Sequence, residues 1–181
     1  MVSRRSFIKS SMVAGLAPGL LHAQTADRHN DATVLVVDGD CADTRHFTRQ
    51  CRLHRLEIND SIELVETLAQ GGQARLFGLT RDSSYFIVAS MSALHGYRLT
   101  YHGVHDFRDG QCRHQLRGEP DAMNALVANL PPAGALWTCA LAEALPRLGN
   151  TQKAALIDTQ CQAASATARR GHLVSWCVER V

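Results

Sequence analysis

Three short polar clusters in this 181-residue chain carry side chains that can do chemistry together. Asp38 and Asp40 bracket a glycine, Thr80, Arg81 and Asp82 are consecutive, and His102, His105 and Asp106 follow closely on one another. Carboxylates and imidazoles can bind a divalent metal, with zinc, copper or manganese suiting oxygen and nitrogen ligands. Arg81 and the amides of a helix N-terminus can hold an anion. The same residues also make good turns and caps, since Asp-Gly-Asp closes a tight turn and Thr-Arg-Asp starts a helix with no ligand involved. His102 and His105 lie three apart, so on a strand they point to opposite faces and meet at one ion only if the strand ends or bulges near Gly103. Cys112 and His114, across a hairpin, could add a copper or zinc donor set.

The elements that must position these residues read as alternating strands and helices. Thr33 to Val37 is a β-branched run ending at Asp38-Gly39-Asp40. Ala42 to Arg52 can form a helix, and a second, capped by Asp60, carries Ile62, Leu64, Val65 and Leu68 up to Gly71-Gly72. Ala74 to Leu79 is the next strand, stopping at Thr80-Arg81-Asp82. Asp82 is a good N-cap for a helix from Ser83 to His95 with Phe86, Ile87, Met91 and Leu94 on its apolar side and Gly96 as terminator. Tyr97 to Val104 returns as a strand, Asp109-Gly110 marks a hairpin turn, and Gln111 to Arg117 is expected at a sheet edge. Pro120 opens a helix that Pro131-Pro132 should stop, a second helix spans Ala135 to Leu145, and a third is expected to bury Ile157, Cys161, Ala164 and Ala168. Leu173 to Val178 closes the chain as an apolar strand inserted in the sheet.

The pattern predicts an α/β fold: a single small Rossmann-like domain over residues 33–181, with a largely parallel sheet, a β-hairpin edge and a helical C-terminal third. In such a sheet ligands bind outside the carboxyl ends of the strands, which is where all three polar clusters fall.

The first 23 residues read differently. Arg4-Arg5-Ser6-Phe7 and Lys9 precede a weakly apolar stretch broken by Gly15 and Pro18 and ending at Ala23. This segment resembles twin-arginine (Tat) signal peptides, with Arg4, Arg5 and Phe7 matching their motif. The resemblance implies contact with the Tat export machinery, cleavage near Ala23, a flexible lead-in over residues 24–32 and a periplasmic location. The apolar run is too short for a stable membrane span, and no later segment reads as apolar enough to cross a membrane. A net charge of +2 with no later basic block argues against nucleic acid as a partner. In an oxidising compartment the six cysteines, Cys41, Cys51, Cys112, Cys139, Cys161 and Cys177, are candidates for up to three disulfides whose pairing the spacing does not reveal. Cys41, after a strand and before a helix, is also placed for a nucleophile.

Asp38-Gly39-Asp40 after an apolar strand resembles the first motif of haloacid-dehalogenase-type phosphatases, which implies a nucleophile at Asp38, a general acid at Asp40 and a Thr80 matching their second motif. The likeness ends at Cys41-Ala42, and no later pair of aspartates supplies the third carboxylate that the metal in those enzymes uses. Three functions therefore stand as expectations. They are a periplasmic ligand-binding or accessory protein, a small metal-dependent hydrolase using Asp38 and Asp40, and an interaction partner of another exported protein.

Overall fold

Val34, Leu35, Val36 and Val37 are buried in succession, so the first strand must be covered on both faces, and every other element is arranged around that requirement. The computed structural model describes residues 33–38, 42–51, 53–58, 61–148, 155–164 and 171–181. The export segment with Arg4, Arg5 and Phe7, together with Asp40 and Cys41, lies outside these residues.

The fold is α/β, with one seven-stranded mixed sheet. In chain order the elements are β1 (Thr33–Asp38), α1 (Ala42–Gln50), β2 (His54–Ile58), α2 (Ser61–Gln70), β3 (Arg75–Thr80), α3 (Asp82–Met91), β4 (Tyr97–Arg108), β5 (Gln111–Gly118), α4 (Pro120–Ala133), α5 (Trp137–Ala144), β6 (Ile157–Ala164) and β7 (Gly171–Arg180). The strand order is β2-β1-β3-β7-β4-β5-β6. Only β1 with β2 and β1 with β3 are parallel, while β3–β7, β7–β4, β4–β5 and β5–β6 are antiparallel. The expectation of a largely parallel sheet is thus corrected. A continuous apolar run reports burial on both faces, which helices can give to an antiparallel strand as readily as to a parallel one, and β7 is the case in point.

Helices α2 and α3 cover one face, where Leu64, Leu68 and Val88 pack on Val34, Val36, Val174 and Trp176. Helices α1, α4 and α5 cover the other, where Phe47, Met123, Leu126, Trp137 and Leu141 pack on Leu35, Phe77, Tyr101 and Leu173. A bulge in β4 between Leu99 and Tyr101 reverses which side chains face which layer. Tyr97 and Leu99 join the α2–α3 side, whereas Tyr101 and Phe107 join the α4–α5 side.

Several local expectations hold. Gly96 ends the α3 region at φ 75°, and Asp109 and Gly110, at φ 53° and 74°, form the left-handed pair of the β4–β5 hairpin. Pro120 starts α4, with Glu119 accepting a hydrogen bond from the Ala122 amide at 2.9 Å.

Others fail for identifiable reasons. The helix expected through Ile157 and Cys161 is strand β6, because these two, four apart, also satisfy a period of two, alternating with exposed Asp158, Gln160 and Gln162, while Ala164 falls on the exposed side and Ala168 lies outside the described residues. Since β6 lies outside it, β5 is not an edge strand. Strand β2 was not anticipated at all, its charged His54-Arg55-Leu56-Glu57-Ile58 giving only a weak apolar signal. Helix α4 runs through Pro131 and Pro132 and ends at Gly134, φ 51°. The prolines fall in its last turn, where the helix loses two N–H donors without having to continue far beyond them. On α3 the core contact is Val88, with Tyr85, Ile87 and Met91 beside it, while Phe86 and Leu94 are 71% and 75% exposed. By length and composition Pro120–Ala144 is apolar enough to cross a membrane, which corrects the expectation that no segment after the signal is. Here it folds as two helices whose Met123, Leu126, Leu130 and Leu141 are buried against the protein.

The two halves of the sheet meet where Trp176 of β7 lies over Gly78 of β3. A Cβ added at Gly78 would sit 2.0 Å from the Trp176 ring. We predict that Gly78→Ala destabilises the protein by roughly 2–3 kcal/mol or more through overpacking, measured as a lowered urea midpoint at unchanged slope. An unaltered midpoint would refute this packing.

Candidate functional site

Between β1 and β3 the connections leave in opposite directions, β1 leading to α1 on one face and β3 to α3 on the other, which makes this the topological switch point of the parallel segment. Asp38 sits here, 8% exposed. Its carboxylate accepts hydrogen bonds from the Arg81 amide and from Ser84 Oγ at 2.9 Å, and its carbonyl accepts from Thr44 Oγ1 at 3.1 Å. Arg81 is the N-cap residue of α3 in extended geometry and has no side-chain cap of its own. Asp38 therefore caps α3 from a neighbouring strand, setting a carboxylate against the positive end of the helix dipole.

The other residues of this cluster are similarly occupied. Thr80 is fully buried and its hydroxyl accepts from Trp176 Nε1 at 3.0 Å. Asp82 is exposed and pairs with His172 from the start of β7. The structure thus brings Asp38, Thr80, Arg81 and Asp82 to one sheet end, as the sequence suggested, but Asp38 and Thr80 serve the backbone and the packing. Asp40 and Cys41 lie outside the described residues.

The second cluster is split across the sheet. His102 faces the α3 side, stacked on Tyr85 with centroids 4.6 Å apart, and burial with the nearby Arg117 guanidinium lowers its pKa. Asp106 is exposed, opposite Arg113. His105 faces the other layer and is completely buried. The bulge that would have helped them converge lies before His102, so His102, His105 and Asp106 do not form one ligand set. Among the described residues no three His, Cys, Asp or Glu side chains are grouped so as to hold a metal ion.

Sequence reasoning set Cys112 and His114 across the hairpin from His105, as the structure does, but missed Tyr101, Ser175 and Trp137 around it. Its Nδ1 meets His114 Nδ1 at 2.7 Å and its Nε2 meets Ser175 Oγ at 2.7 Å, while Tyr101 Oη and Ser175 Oγ are hydrogen-bonded at 2.8 Å. Cys112 Sγ lies 3.8 Å from His114 Nδ1. Trp137 roofs the chain, its ring 4.4 Å from His105 and 5.2 Å from His114. Gly103 is the floor, since a Cβ there would approach both Ser175 Oγ and Tyr101 Oη to 2.6 Å. A legible clue existed in the period-two rows Tyr101, Gly103, His105, Phe107 and Cys112, His114, Leu116, which put polar groups at inward positions.

Both imidazoles are neutral in this pocket. Burial and the adjacent His114 push the His105 pKa well down, and burial lowers that of His114 to about 4. A neutral pair shares a single proton between its facing Nδ1 atoms, and His114 Nε2 is left without a partner among the described residues. Ser175, His105 and His114 have the spacing of a nucleophile, a base and its orienting group. With Ser175 at 1% exposure and both rings at zero, no substrate reaches them in this conformation.

Cys51, Cys112, Cys139, Cys161 and Cys177 are free thiols in the structure. Burial, with Cys139 adding to it, pushes Cys51 up to about 12, and burial raises Cys177 to about 12, so neither supplies a thiolate at neutral pH.

Accessible concavities lie on the face of β4, β5 and β6, which no described helix covers over most of its extent. A concavity of about 490 Å³ is lined by His102, Val104, Gln115, Arg117, Asp158 and Gln160, and another of about 350 Å³ by residues including Asp106, Arg108 and Arg113 at the hairpin tip. Arg117 is the register partner of both His102 and Asp158, so cation, imidazole and carboxylate stand side by side in the larger one.

If Asp38 is a cap, Asp38→Ala costs about 1–2 kcal/mol of stability, read by chemical denaturation, and Ser84→Ala costs less. Unchanged stability in Asp38→Ala would show that the bonds to α3 do not hold it. Comparison with known proteins found no matching family model, no matching curated protein and no matching solved structure.

Proposed function

We propose that this chain is a Tat-exported periplasmic binding or accessory protein that holds a small polar ligand on the open face of β4, β5 and β6. We read the parallel β2-β1-β3 unit, with helices on both faces, as a Rossmann-like core forming one domain with the hairpin strands. The observation that carries the binding reading is the concavity of about 490 Å³ in which Arg117 stands beside His102 and Asp158. An anionic group of the ligand would pair with Arg117, and hydroxyl or amide groups would bond to Gln115, Gln160 and Asp158.

The hydrolase reading draws less support. A nucleophilic Asp38 needs a free carboxylate oxygen aimed at substrate, whereas both oxygens here accept hydrogen bonds from the start of α3. A role as partner of another exported protein would use the same open face, with main-chain and polar side-chain contacts spread over three strands instead of one concavity.

The test is a thermal-shift screen of small carboxylates, phosphate esters and sugars against the wild type and Arg117→Ala, a substitution on an exposed position. A ligand present at a hundred times its Kd should stabilise the folded protein by about 2.7 kcal/mol, and Arg117→Ala should weaken binding at least about tenfold. An equal shift in both proteins, or none across the panel, would count against this site. Hydrolysis of p-nitrophenyl phosphate that disappears in a folded Asp38→Asn variant would replace the binding reading with the enzyme.

A further inference from the structure

We infer that the His105–His114 pair beneath Trp137 is an acid-sensitive latch that holds α5 on the sheet at neutral pH and releases it as the pH falls. Three geometric facts combine to make it so. The two rings meet through their Nδ1 atoms at 2.7 Å, an arrangement that has room for one proton between them. The pocket is closed to solvent, with both rings fully buried and the indole of Trp137 packed on each. Its one remaining nitrogen, His114 Nε2, has no described partner to receive or stabilise an added proton.

Among the described residues the surroundings offer no counter-charge. Facing the pair are Tyr101 from the same strand as His105, Cys112 from β5, Ser175 and Cys177 from β7, and Cys161, the register partner of His114, from β6. From α5 comes Trp137, while those charged residues of the covering helices whose side chains are described, Arg45 and Arg49 on α1, Asp121 on α4 and Glu143 on α5, are solvent-exposed. His102, the next nearest imidazole, lies on the far face and opposes protonation. Trp137 provides a cation–π contact, a smaller effect than the hydration a buried imidazolium loses.

Helix α5 is the element placed to yield. It has eight residues, follows Gly134 at φ 51°, and starts at Leu136 without a side-chain cap. Trp137 is its first residue, so lifting that turn hydrates both rings at once.

The sign follows from linkage. In the opened state the rings titrate near 6.5, while in the closed state His114 titrates near 4 and burial with the adjacent His114 holds His105 well below its ordinary value. Opening is therefore pH-independent above about 6.5 and becomes more favourable as pH falls below it. Between pH 7 and pH 5 the opening constant should rise about 20-fold if one ring titrates and several-hundred-fold if both do.

Hydrogen exchange of the full chain, corrected for intrinsic amide chemistry, reads this directly in residues 137–144. The wild type should show that rise from pH 7 to pH 5, with core amides of β1 and β3 unchanged and far-UV circular dichroism retained. His172→Gln, which removes the separate His172–Asp82 pair, should behave like the wild type. The double variant His105→Gln, His114→Asn, keeping hydrogen-bonding amides in place of both rings, should lose the pH dependence. Should it fail to fold, His114→Asn alone decides, a clearly reduced pH response supporting the latch and an unchanged one overturning it. The latch is also overturned by a flat wild-type response, by α5 and the β1–β3 core opening together, or by an undiminished rise in the double variant.

Discussion

The structure depends on β7, the last strand of the chain, lying in the middle of the sheet. It pairs antiparallel with β3 on one side and with β4 on the other, so it alone connects the parallel β2-β1-β3 unit to the β4-β5-β6 ribbon. Leu173 to Val178 are all buried, and the alternation along them divides the interior. Val174, Trp176 and Val178 face α2 and α3, while Leu173, Ser175 and Cys177 face the opposite layer. Two polar features of the interior hang on this strand, since Trp176 satisfies Thr80 and Ser175 bridges Tyr101 to His105. Because β7 pairs with strands that lie far before it in sequence, the sheet has a high proportion of non-local contacts, which are slow to form.

What could be read from the sequence follows from the range over which each signal acts. Gly96, the Asp109-Gly110 turn and Pro120 are local devices, each set by the backbone conformations that one or two residues allow, and each occurs where its chemistry placed it. The apolar runs of β1, β3 and β7 were equally legible as buried strands, but burial carries no record of direction, so the sheet was read as more parallel than it is. In β6 the fault lay in periodicity, because Ile157 and Cys161 are four apart, a spacing common to a helix and to one face of a strand.

The site divides in the same way. That Asp38 and Arg81 share a sheet end was deducible from strand order, yet the use of Asp38 as a cap for α3 depends on a hydrogen bond between residues distant in sequence. The bulge at Leu99 and Tyr101 had no sequence marker. It fixes the side of the sheet on which every later side chain of β4 lies, and so it decides that His102 meets Tyr85 and Arg117 while His105 meets His114 and Ser175.

The two faces of the β4–β5 ribbon consequently have opposed electrostatics. On the uncovered face charged groups alternate across strands, as Asp106 with Arg113 and Arg117 with Asp158, in a solvated setting where each pair contributes little to stability and remains open to a competing ligand. On the covered face four polar side chains form one hydrogen-bonded chain without a formal charge, and there the low dielectric makes each bond matter and any added charge costly. A core of the same shape built from apolar residues would avoid the unpartnered His114 Nε2 and would be expected to fold at least as stably. Stability alone therefore does not account for this chain. What it adds is sensitivity, because a further proton leaves the bond between the Nδ1 atoms in place but puts a net charge in an interior that cannot hydrate it.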